Sequence, residues 1–407
     1  MKLLSSLLFI TTAGVIGIYA QEYEIPNHQL RGELDNSSST SSTNNNNNDT
    51  ILKERAKSTF SYTEDIGPGL KLDMALHTIH HSTLSEYQSI QVIDTYFGRT
   101  LVTDGKTQSA AHDEYVYHES LVHPPLFWSS ILSKNNGNIE GGDGAPKTVF
   151  IGGGGELATA REVLKHNTVE RVVMVDLDPV VIEVSKQYLP NWGGEAVANH
   201  PKMELIIGDS YKYLMETDET FDVIIMDISD PIEAGPGIAL YTQEFYQRAA
   251  KVLTPNSGVF VTQAGSGAYI NHPTQSEGET EVSCLPPIMN TLTTVFDHAI
   301  PYTVPIASFG EDWGFVMAFN GSKSQAQQLI DLAPEEINTL IEERIESVDS
   351  VPEHNELSST GAKKGEHALG LYDGEAHRGL FALSKPLRRS IQSDERIMTL
   401  ENPIFMY

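Results

Sequence analysis

From residue 147 onward, apolar runs of strand length alternate with stretches of helical pattern, and this alternation limits the possible folds more than any other feature of the chain. Buried strands are predicted at residues 148–151, 172–175, 203–207, 223–226 and 259–262. Helices are predicted between them at residues 158–166, 179–188 and 243–253. Strands that alternate with helices form a parallel, doubly wound sheet. The expected fold class is therefore α/β.

A run of four glycines joins the first predicted strand to the first predicted helix, in Gly152-Gly153-Gly154-Gly155-Glu156. Glycines at this place let a ligand approach the backbone, and the start of the helix supplies free N–H groups. The run could also be only a tight turn between strand and helix. It lacks the Gly-Lys-Ser/Thr of a Walker loop and does not fit the dinucleotide fingerprint cleanly.

Two acids follow the next two strands and outline a nucleoside site. Asp176 stands about 20 residues after the glycines, where an acid typically binds ribose hydroxyls. Asp209 ends the third strand and could accept a hydrogen bond from an adenine amine. Either acid could instead cap the helix that follows it. Asp178 is expected to face away from this site. The outline formed by the glycine loop, Asp176 and Asp209 suits a ligand like S-adenosylmethionine.

Two more carboxylates lie directly after the strand at 223–226, in Asp227-Ile228-Ser229-Asp230-Pro231. Two acids three residues apart cannot both be buried without a partner, and a cationic ligand would be such a partner. A structural turn with capping carboxylates is the alternative. Residues 233–237, which contain two glycines and a proline, could fold over the site as a lid.

The charge balance fits a cationic ligand better than an anionic one. The chain carries 27 basic and 55 acidic residues, a formal net charge of −28. Binding to phosphate backbones needs clustered Lys and Arg, so nucleic acid is not expected as a partner. An acidic field attracts cations, although it could also serve solubility alone.

The remaining sequence predicts five regions. Residues 60–108 read as a small antiparallel sheet, followed by a helix at 113–122. The predicted regions are a targeting segment at 1–20, a disordered Ser/Asn-rich linker at 21–59, an N-terminal β-domain at 60–130, the α/β domain at 131–345 and a C-terminal extension at 346–407. The targeting segment has a basic start, a short apolar run and a possible cleavage site, which suggests the secretory pathway or a plastid. A cytoplasmic location is the alternative.

The motifs from the glycine run to Asp230, in their order and spacing, resemble the spermidine/spermine synthase family. Upstream segments resemble it too: Tyr87-Gln88, Asp104-Gly105-Lys106-Thr107-Gln108 and Asp113-Glu114-Tyr115-Val116-Tyr117-His118-Glu119. So does Thr262-Gln263, and the similarity runs from about residue 85 to 320. The resemblance implies a Rossmann-like, methyltransferase-type domain behind a small antiparallel β-domain, usually as a homodimer or larger. It also implies an aminopropyltransferase that uses decarboxylated S-adenosylmethionine as co-substrate, without a permanently bound cofactor or a metal.

The family's residue roles carry over by position. Asp227 would be the catalytic acid/base, assisted by Tyr117 and Asp230. Asp176 would hold the donor's ribose and Asp209 its adenine. The donor side would further include Gln88, Gly153, Gly154, Gly155, Glu156 and Ile228. The polyamine, which is spermidine or putrescine, would meet His118, Glu156, Asp230 and Gln263, with Tyr117 and Gln88 also lining the acceptor side.

These residue types suit the implied reaction. An amine is mostly protonated at neutral pH, so a carboxylate must accept its proton before or as the nitrogen attacks. The donor's sulfonium is already a good leaving group. Catalysis is then mainly the orientation of two cations between acidic walls.

Several departures from the spermidine synthase pattern resemble the thermospermine synthases of plants and algae. Ile228 stands between the two acids, His118 follows Tyr117, and Phe309 replaces a tyrosine. The implied acceptor is spermidine and the product thermospermine, with spermine or spermidine synthesis as alternatives. Leu157 replaces a usual glycine and could narrow the donor site, and His118 could bind an amine or simply pack.

Two other classes of function compete with this interpretation. A methyltransferase would use the same nucleoside outline, but Glu156 and Asp227 would repel the carboxylate of intact S-adenosylmethionine. A non-catalytic polyamine-binding protein would keep the acidic pocket and lose the base. Asp227 and Tyr117 are both present, which disfavours that alternative.

Overall fold

The strand-and-helix alternation forms the central sheet of the computed structural model, which describes residues 60–67, 70–137, 144–232, 235, 237–267, 283–348 and 368–405. Seven strands lie in the order β12-β13-β11-β10-β7-β8-β9. Their bounds are β7 Thr148–Gly153, β8 Arg171–Asp176, β9 Met203–Ile207, β10 Val223–Asp227, β11 Val259–Ser266, β12 His298–Ile306 and β13 Glu311–Phe319. The strands β7 to β11 pair in parallel, as the sequence predicted.

The sheet is mixed rather than wholly parallel, because β12 and β13 extend it as an antiparallel hairpin. No strand was predicted at these residues. The hairpin turns tightly over residues 307–310, where Gly310 has a φ of +76°. This turn carries Phe309 towards the carboxyl end of the sheet, so the hairpin contributes to the site.

Helices cover both faces of the sheet, which explains why its strands are apolar on both faces. Their bounds are α1 Glu114–Asn135, α2 Ala158–Leu164, α3 Pro179–Tyr188, α4 Gly194–Ala198, α5 Ser210–Glu216, α6 Gln243–Val252, α7 Leu285–Thr293, α8 Lys323–Ile330, α9 Pro334–Arg344, α10 Gly374–Leu380 and α11 Lys385–Ser393. Among the described helices, none combines the length and the apolar character that crossing a bilayer requires.

Helix α1 is longer than its sequence suggested, because it continues past Pro124 and Pro125 to Asn135. Most of its side chains are buried in the core that it shares with the central sheet. That burial outweighs the usual helix-breaking effect of proline. The helix also runs across residue 130, where a domain boundary was predicted, and residues Thr59–Tyr407 form one compact unit.

The N-terminal strands form the predicted antiparallel β-region. A two-stranded sheet pairs β1 Ser61–Gly67 with β2 Leu70–Ala75, and a four-stranded sheet follows the order β3-β4-β5-β6. The strands of the latter are β3 Thr78–Leu84, β4 Ser89–Thr95, β5 Gly98–Thr103 and β6 Lys106–Ala110. Its apolar side chains share a core with α2 and α3, centred on Ile90, Val92, Ala158, Val184 and Trp192.

The C-terminal extension packs back onto α1. The buried carboxylate of Glu119 accepts the backbone N–H groups of Gly370, Leu371 and Tyr372 at 2.6, 2.8 and 2.8 Å. Lys165 donates to the carbonyl of Ala368 at 2.7 Å. The extension therefore holds the helix that carries two predicted site residues. The predicted targeting segment, the linker and most of the polar stretch after residue 348 lie outside the described residues.

Candidate active site

The glycine run lies directly against the end of β10. Gly154 N–H donates to the backbone carbonyl of Asp227 at 2.9 Å. A Cβ on Gly153, whose φ is +82°, would stand 2.0 Å from the same carbonyl oxygen. Only glycine fits there, so the run is required by close packing as well as by any ligand. The predicted donor loop and the predicted base thus form one unit.

Asp176 lies beside the same loop at the end of β8. A Cβ on Gly155 would come within 2.9 Å of Asp176 Oδ2, so glycine makes room for this carboxylate. Burial raises the pKa of Asp176 to about 7. Asp209 is exposed and caps α5, where its Oδ1 accepts from Tyr211 N–H at 2.8 Å. The capping alternative therefore holds for Asp209, and its contact with adenine stays a prediction.

Asp178 is buried and bonds to the helix that follows it and to the β-region, and its direction relative to the nucleoside site stays a prediction. Its Oδ1 caps α3 through Val180 N–H at 2.9 Å. Its Oδ2 accepts from Ser85 Oγ at 2.6 Å and from Gln88 Nε2 at 3.0 Å. A buried carboxylate needs such donors. Asp178 thereby fixes Gln88, the predicted ligand-binding residue of the β-region, to the central domain.

Asp227 is held by hydroxyl donors on both of its carboxylate oxygens. Tyr117 Oη donates to Oδ1 at 2.7 Å, and Thr159 Oγ1 donates to Oδ2 at 2.5 Å. Burial, and then the nearby negative charge of Glu156, raise the pKa of Asp227 to about 6. The carboxylate is therefore charged at neutral pH and sits at the right end of the sheet to accept a proton.

His118 lies between Glu156 and the buried Glu114 and contacts both. Its Nε2 lies 3.1 Å from Glu156 Oε1, and its Nδ1 lies 2.7 Å from Glu114 Oε2. Burial alone would lower the pKa of His118, but the hydrogen bonds to the two glutamates raise it to about 10. His118, Glu156 and Asp227 offer ligand atoms within 4.8 Å of one another, as a metal site would. An imidazolium has no lone pair to give a metal, which leaves the carboxylates of Glu156 and Asp227 to accept the N–H groups of a cationic ligand.

The predicted acceptor residues Asp230 and Gln263 contact each other in the region after β10. Gln263 Nε2 lies 3.0 Å from Asp230 Oδ1, 2.8 Å from the carbonyl of Ile228 and 2.7 Å from Tyr241 Oη. Burial raises the pKa of Asp230 to about 6. Of the predicted lid, Glu233, Ala234 and Pro236 lie outside the described residues.

Aromatic rings pack beside Tyr117, the residue that donates to Asp227. The ring centroids of Tyr117 and Phe309 lie 6.1 Å apart, and those of Phe309 and Trp313 lie 4.8 Å apart. Aromatic faces attract ammonium groups, and their edges exclude water. Carboxylates beside such rings can hold a flexible chain that carries several positive charges.

Comparison with known proteins decides the family. Residues 114–328, more than half of the chain, match the family model described as "Spermine/spermidine synthase domain". This chain belongs to the spermine/spermidine synthase family. The predicted family, fold class and enzyme class are confirmed.

The relatives of this spermine/spermidine synthase family member include plant and archaeal enzymes. The chain is 40% identical over 285 residues to thermospermine synthase ACAULIS5 of Arabidopsis thaliana, covering 70% of this chain and 75% of that protein. It is 37% identical over 308 residues to a polyamine aminopropyltransferase of Sulfurisphaera tokodaii, covering 76% and 85%. A spermidine synthase crystallised with the transition-state analogue AdoDATO has a TM-score of 0.62 at 26% identity, over 82% of this chain and 95% of that one.

Two residues that distinguish this family member from the usual pattern have mainly packing roles. Leu157 is fully buried in the main core in a left-handed conformation, with φ at +79°. Its side chain fills the core, and its effect on the donor site stays a prediction. Ile228 Cγ2 lies 3.1 Å from where a Cβ on Gly153 would stand, next to the donor loop. That position fits its predicted place on the donor side and gives no information on acceptor length.

Four residues of this site had no predicted role: Thr159, Tyr241, Glu114 and Arg161. Thr159 could have been found, because it stands three residues after Glu156 in the first turn of the helix behind the loop. Tyr241 Oη donates to the carbonyl of Ser229 at 3.1 Å, a contact across a loop that no motif indicates.

Proposed function

We propose that this chain transfers the aminopropyl group of decarboxylated S-adenosylmethionine to spermidine, giving thermospermine and methylthioadenosine. The observation that carries the proposal is the placement of Asp227. Its carboxylate, fixed by Tyr117 and Thr159, lies beside the glycine loop, and Asp230 follows three residues later in the loop after β10. The 40% identity to a plant thermospermine synthase supports the choice of acceptor and product.

The chemistry follows from that placement. A primary ammonium of spermidine gives its proton to Asp227, and the freed nitrogen lone pair attacks the methylene carbon bonded to the donor's sulfur. The new C–N bond forms as the C–S bond breaks, and the sulfur keeps the bonding electrons and becomes the neutral thioether of methylthioadenosine. A carboxylate with a pKa of about 6 is ionised at neutral pH and can take up a proton. Tyr117 and Thr159 orient it without providing a proton acceptor of their own.

The acceptor side offers a further acid for a triamine. This acid is Glu311, which hydrogen-bonds Ser266 Oγ. Ser266 lies three residues beyond Gln263 on β11, roughly 10 Å along the strand. A register shift between Gln263 and Ser266 in the pairing with β13 breaks the strict alternation of side chains. Burial, with the negative charge of Asp230 adding to it, raises the pKa of Glu311 to about 7. Asp227, Asp230 and Glu311 provide one acid for each of the three nitrogens of spermidine, whereas putrescine has two nitrogens.

A methyltransferase is the strongest alternative from another class, because the nucleoside outline would serve it equally. Intact S-adenosylmethionine carries a carboxylate that decarboxylation removes. Glu156 lies close enough to Asp227 that the negative charge of Glu156 raises the pKa of Asp227. Such a pair repels a donor carboxylate and attracts the donor's ammonium.

An assay with purified protein tests the proposal. Decarboxylated S-adenosylmethionine is supplied with spermidine or with putrescine, and products are separated so that thermospermine and spermine are resolved. We expect methylthioadenosine and thermospermine in equal amounts from spermidine. Spermidine formed from putrescine as the main product would contradict the acceptor, and no methylthioadenosine with any amine would contradict the enzyme.

We also propose that the chain forms a homodimer or a larger homo-oligomer, and that residues 1–20 direct it to the secretory pathway or a plastid. Sedimentation of the purified protein tests the first proposal. A fusion of residues 1–50 to a fluorescent reporter tests the second, with diffuse cytoplasmic signal as the contradicting result.

A further inference from the structure

Four charged side chains form a continuous row from the interior to the active site. Arg161 donates to both oxygens of Glu114, at 2.9 Å each. Glu114 Oε2 faces His118 Nδ1 at 2.7 Å, and His118 Nε2 faces Glu156 Oε1 at 3.1 Å. The first three side chains are buried, and Glu156 is partly exposed at the site end of the row.

The geometry determines the charge of the histidine. His118 Nδ1 also lies 2.6 Å from the backbone carbonyl of Glu114, so each ring nitrogen faces only oxygen acceptors. A neutral imidazole has one N–H donor and one bare nitrogen, and the bare nitrogen would face an acceptor. When Glu114 and Glu156 are ionised, both contacts are satisfied only by the imidazolium form.

Arg161 keeps the inner end of the row in place. Besides Glu114, it donates to Glu162 Oε1 at 2.8 Å and to the carbonyl of Asn191 at 2.8 Å. These four bonds fix the guanidinium, and its planar pair of donors fixes the plane of the Glu114 carboxylate. Glu114 is therefore presented to His118 in one orientation.

We infer that Glu114 and Arg161 are positioning residues of the transferase, which act by holding His118 as an imidazolium that in turn aims the carboxylate of Glu156 into the site. The inference rests on the proposed function for its kinetic consequences. Neither residue touches the space between the glycine loop and Asp230, so both act through His118.

The charged groups around the His118 ring show how it affects the ionisation of Asp227. The ring meets Glu114 on its own helix and Glu156 on the loop after β7, it lies near Asp227 of β10, and the Tyr117 ring packs edge-on at 5.0 Å. The positive ring lowers the pKa of Asp227, against the effects of burial and of Glu156. The imidazolium thus keeps the base ionised beside a second carboxylate.

The first test measures the charge of His118 in the unmodified protein. Nitrogen-15 histidine spectra are recorded from pH 5.5 to 8.5, and the signals of His118 are identified by their loss in His118→Gln. We expect both ring nitrogens to stay protonated at pH 8. A neutral His118 at pH 7 would overturn the inference, and this experiment needs no variant of the buried acid, which could fail to fold.

The second test measures kcat/KM for spermidine against pH in Glu114→Gln. Without the carboxylate, burial lowers the pKa of His118 and the ring loses a proton, so any bond that the neutral ring keeps to Glu156 loses its charge assistance. We expect a loss of about tenfold at pH 8.5, the size of one hydrogen bond to a charged group, and a smaller loss at pH 6.5. Glu119→Gln is the matched control, since it removes a buried carboxylate from the same helix without touching the ring, and its loss should not depend on pH.

A double-mutant cycle separates positioning from general destabilisation. In a His118→Gln background, Glu114→Gln should change kcat/KM less than twofold, because the imidazole through which Glu114 acts on the site is already absent. A full tenfold loss in that background would contradict the inference. An imidazolium in a protein without transfer activity would contradict the proposed function alone, whereas an active enzyme with neutral His118 would contradict this inference alone.

Discussion

Thr159 Oγ1 donates a 2.5 Å hydrogen bond to Asp227 Oδ2. The bond joins the first turn of α2, directly after the glycine loop, to the end of β10. Since Tyr117 donates to the other oxygen at 2.7 Å, the carboxylate is fixed before any substrate binds. A base that is already oriented loses little entropy on reaching the transition state.

Replacing the Thr159 hydroxyl should make Asp227 a weaker acid. The hydrogen bond from Thr159 lowers the pKa of Asp227, so Thr159→Val removes a stabilising contact to the charged form. We expect the rising limb of kcat/KM against pH to move upward by about one unit, the equivalent of roughly 1.4 kcal/mol. Thr159→Ser keeps the hydroxyl and should behave as wild type. An unchanged profile in Thr159→Val would contradict a role for this bond.

Glu311→Gln should weaken spermidine binding without changing the donor site. Its carboxylate lies at the acceptor end of the hairpin, where it would hold a distal ammonium of the triamine. We expect the KM for spermidine to rise about tenfold, as for one charge-assisted hydrogen bond, and kcat to change little. Asp312→Asn is the control, because this exposed neighbour points away from the buried acids. An unchanged KM would show that the third acid plays no part in acceptor binding.

Leu157 should matter for stability and not for donor affinity. The side chain is fully buried, so Leu157→Ala should cost about 2–4 kcal/mol of the free energy of unfolding. Leu157→Gly loses the same contacts but relieves a left-handed backbone strain of roughly 1 kcal/mol, so it should be at least as stable as the alanine variant. Donor dissociation constants from calorimetry should stay within about twofold of wild type in both, which is the ordinary scatter of context effects. Much tighter donor binding in the glycine variant would mean that Leu157 does narrow the site.

Acidic site residues should make stabilisation by spermidine depend on pH. The pKa values of Asp227 and Asp230 are raised to about 6 and those of Asp176 and Glu311 to about 7, above ordinary values of 3.8 and 4.5. The folded state therefore binds protons more tightly than the unfolded state, and these groups stabilise the fold least once pH has risen through 6 to 7. A polycation offsets their repulsion only when they are ionised.

We therefore expect spermidine to raise the melting temperature more at pH 8 than at pH 5.5, where spermidine itself carries nearly the same charge. Thermal unfolding at matched ionic strength measures this, and Asp230→Asn should reduce the difference between the two pH values. An equal rise at both pH values would contradict cation binding by the three carboxylates proposed for spermidine, Asp227, Asp230 and Glu311.

Most strand positions of the central sheet could be predicted, because each is a short apolar run with glycine or acid at its end. The run at 203–207 matches β9 at both ends, and helix α3 matches residues 179–188. The antiparallel hairpin was missed, since His298–Ile306 contains two prolines and interrupted apolar character. Helix α1 was cut short at its prolines, because local preference gives no sign of how deeply a segment will be buried.

The site residues also divide into those that a local motif reveals and those that it does not. Residues in recognisable motifs, such as Asp227 and Gly154, are indeed brought together at the strand ends. Partners distant in sequence could not be foreseen, such as Tyr241 for Gln263 or the backbone of Gly370 for Glu119. Such contacts depend on how helices pack onto the sheet, which no local pattern records. The sequence also could not distinguish a capping role from a ligand-binding role for Asp209, which caps α5.

The most direct test of the central claim is single-turnover transfer by Asp227→Asn. The amide fills the same space and can still be oriented by Tyr117, but it cannot accept the proton of an ammonium nucleophile. With saturating decarboxylated S-adenosylmethionine and spermidine at pH 8, we expect methylthioadenosine formation to slow by about 10³-fold, while the donor dissociation constant changes only a few-fold. Asp230→Asn should instead mainly raise the KM for spermidine. Transfer by Asp227→Asn at more than a tenth of the wild-type rate would contradict the role of Asp227 as the base.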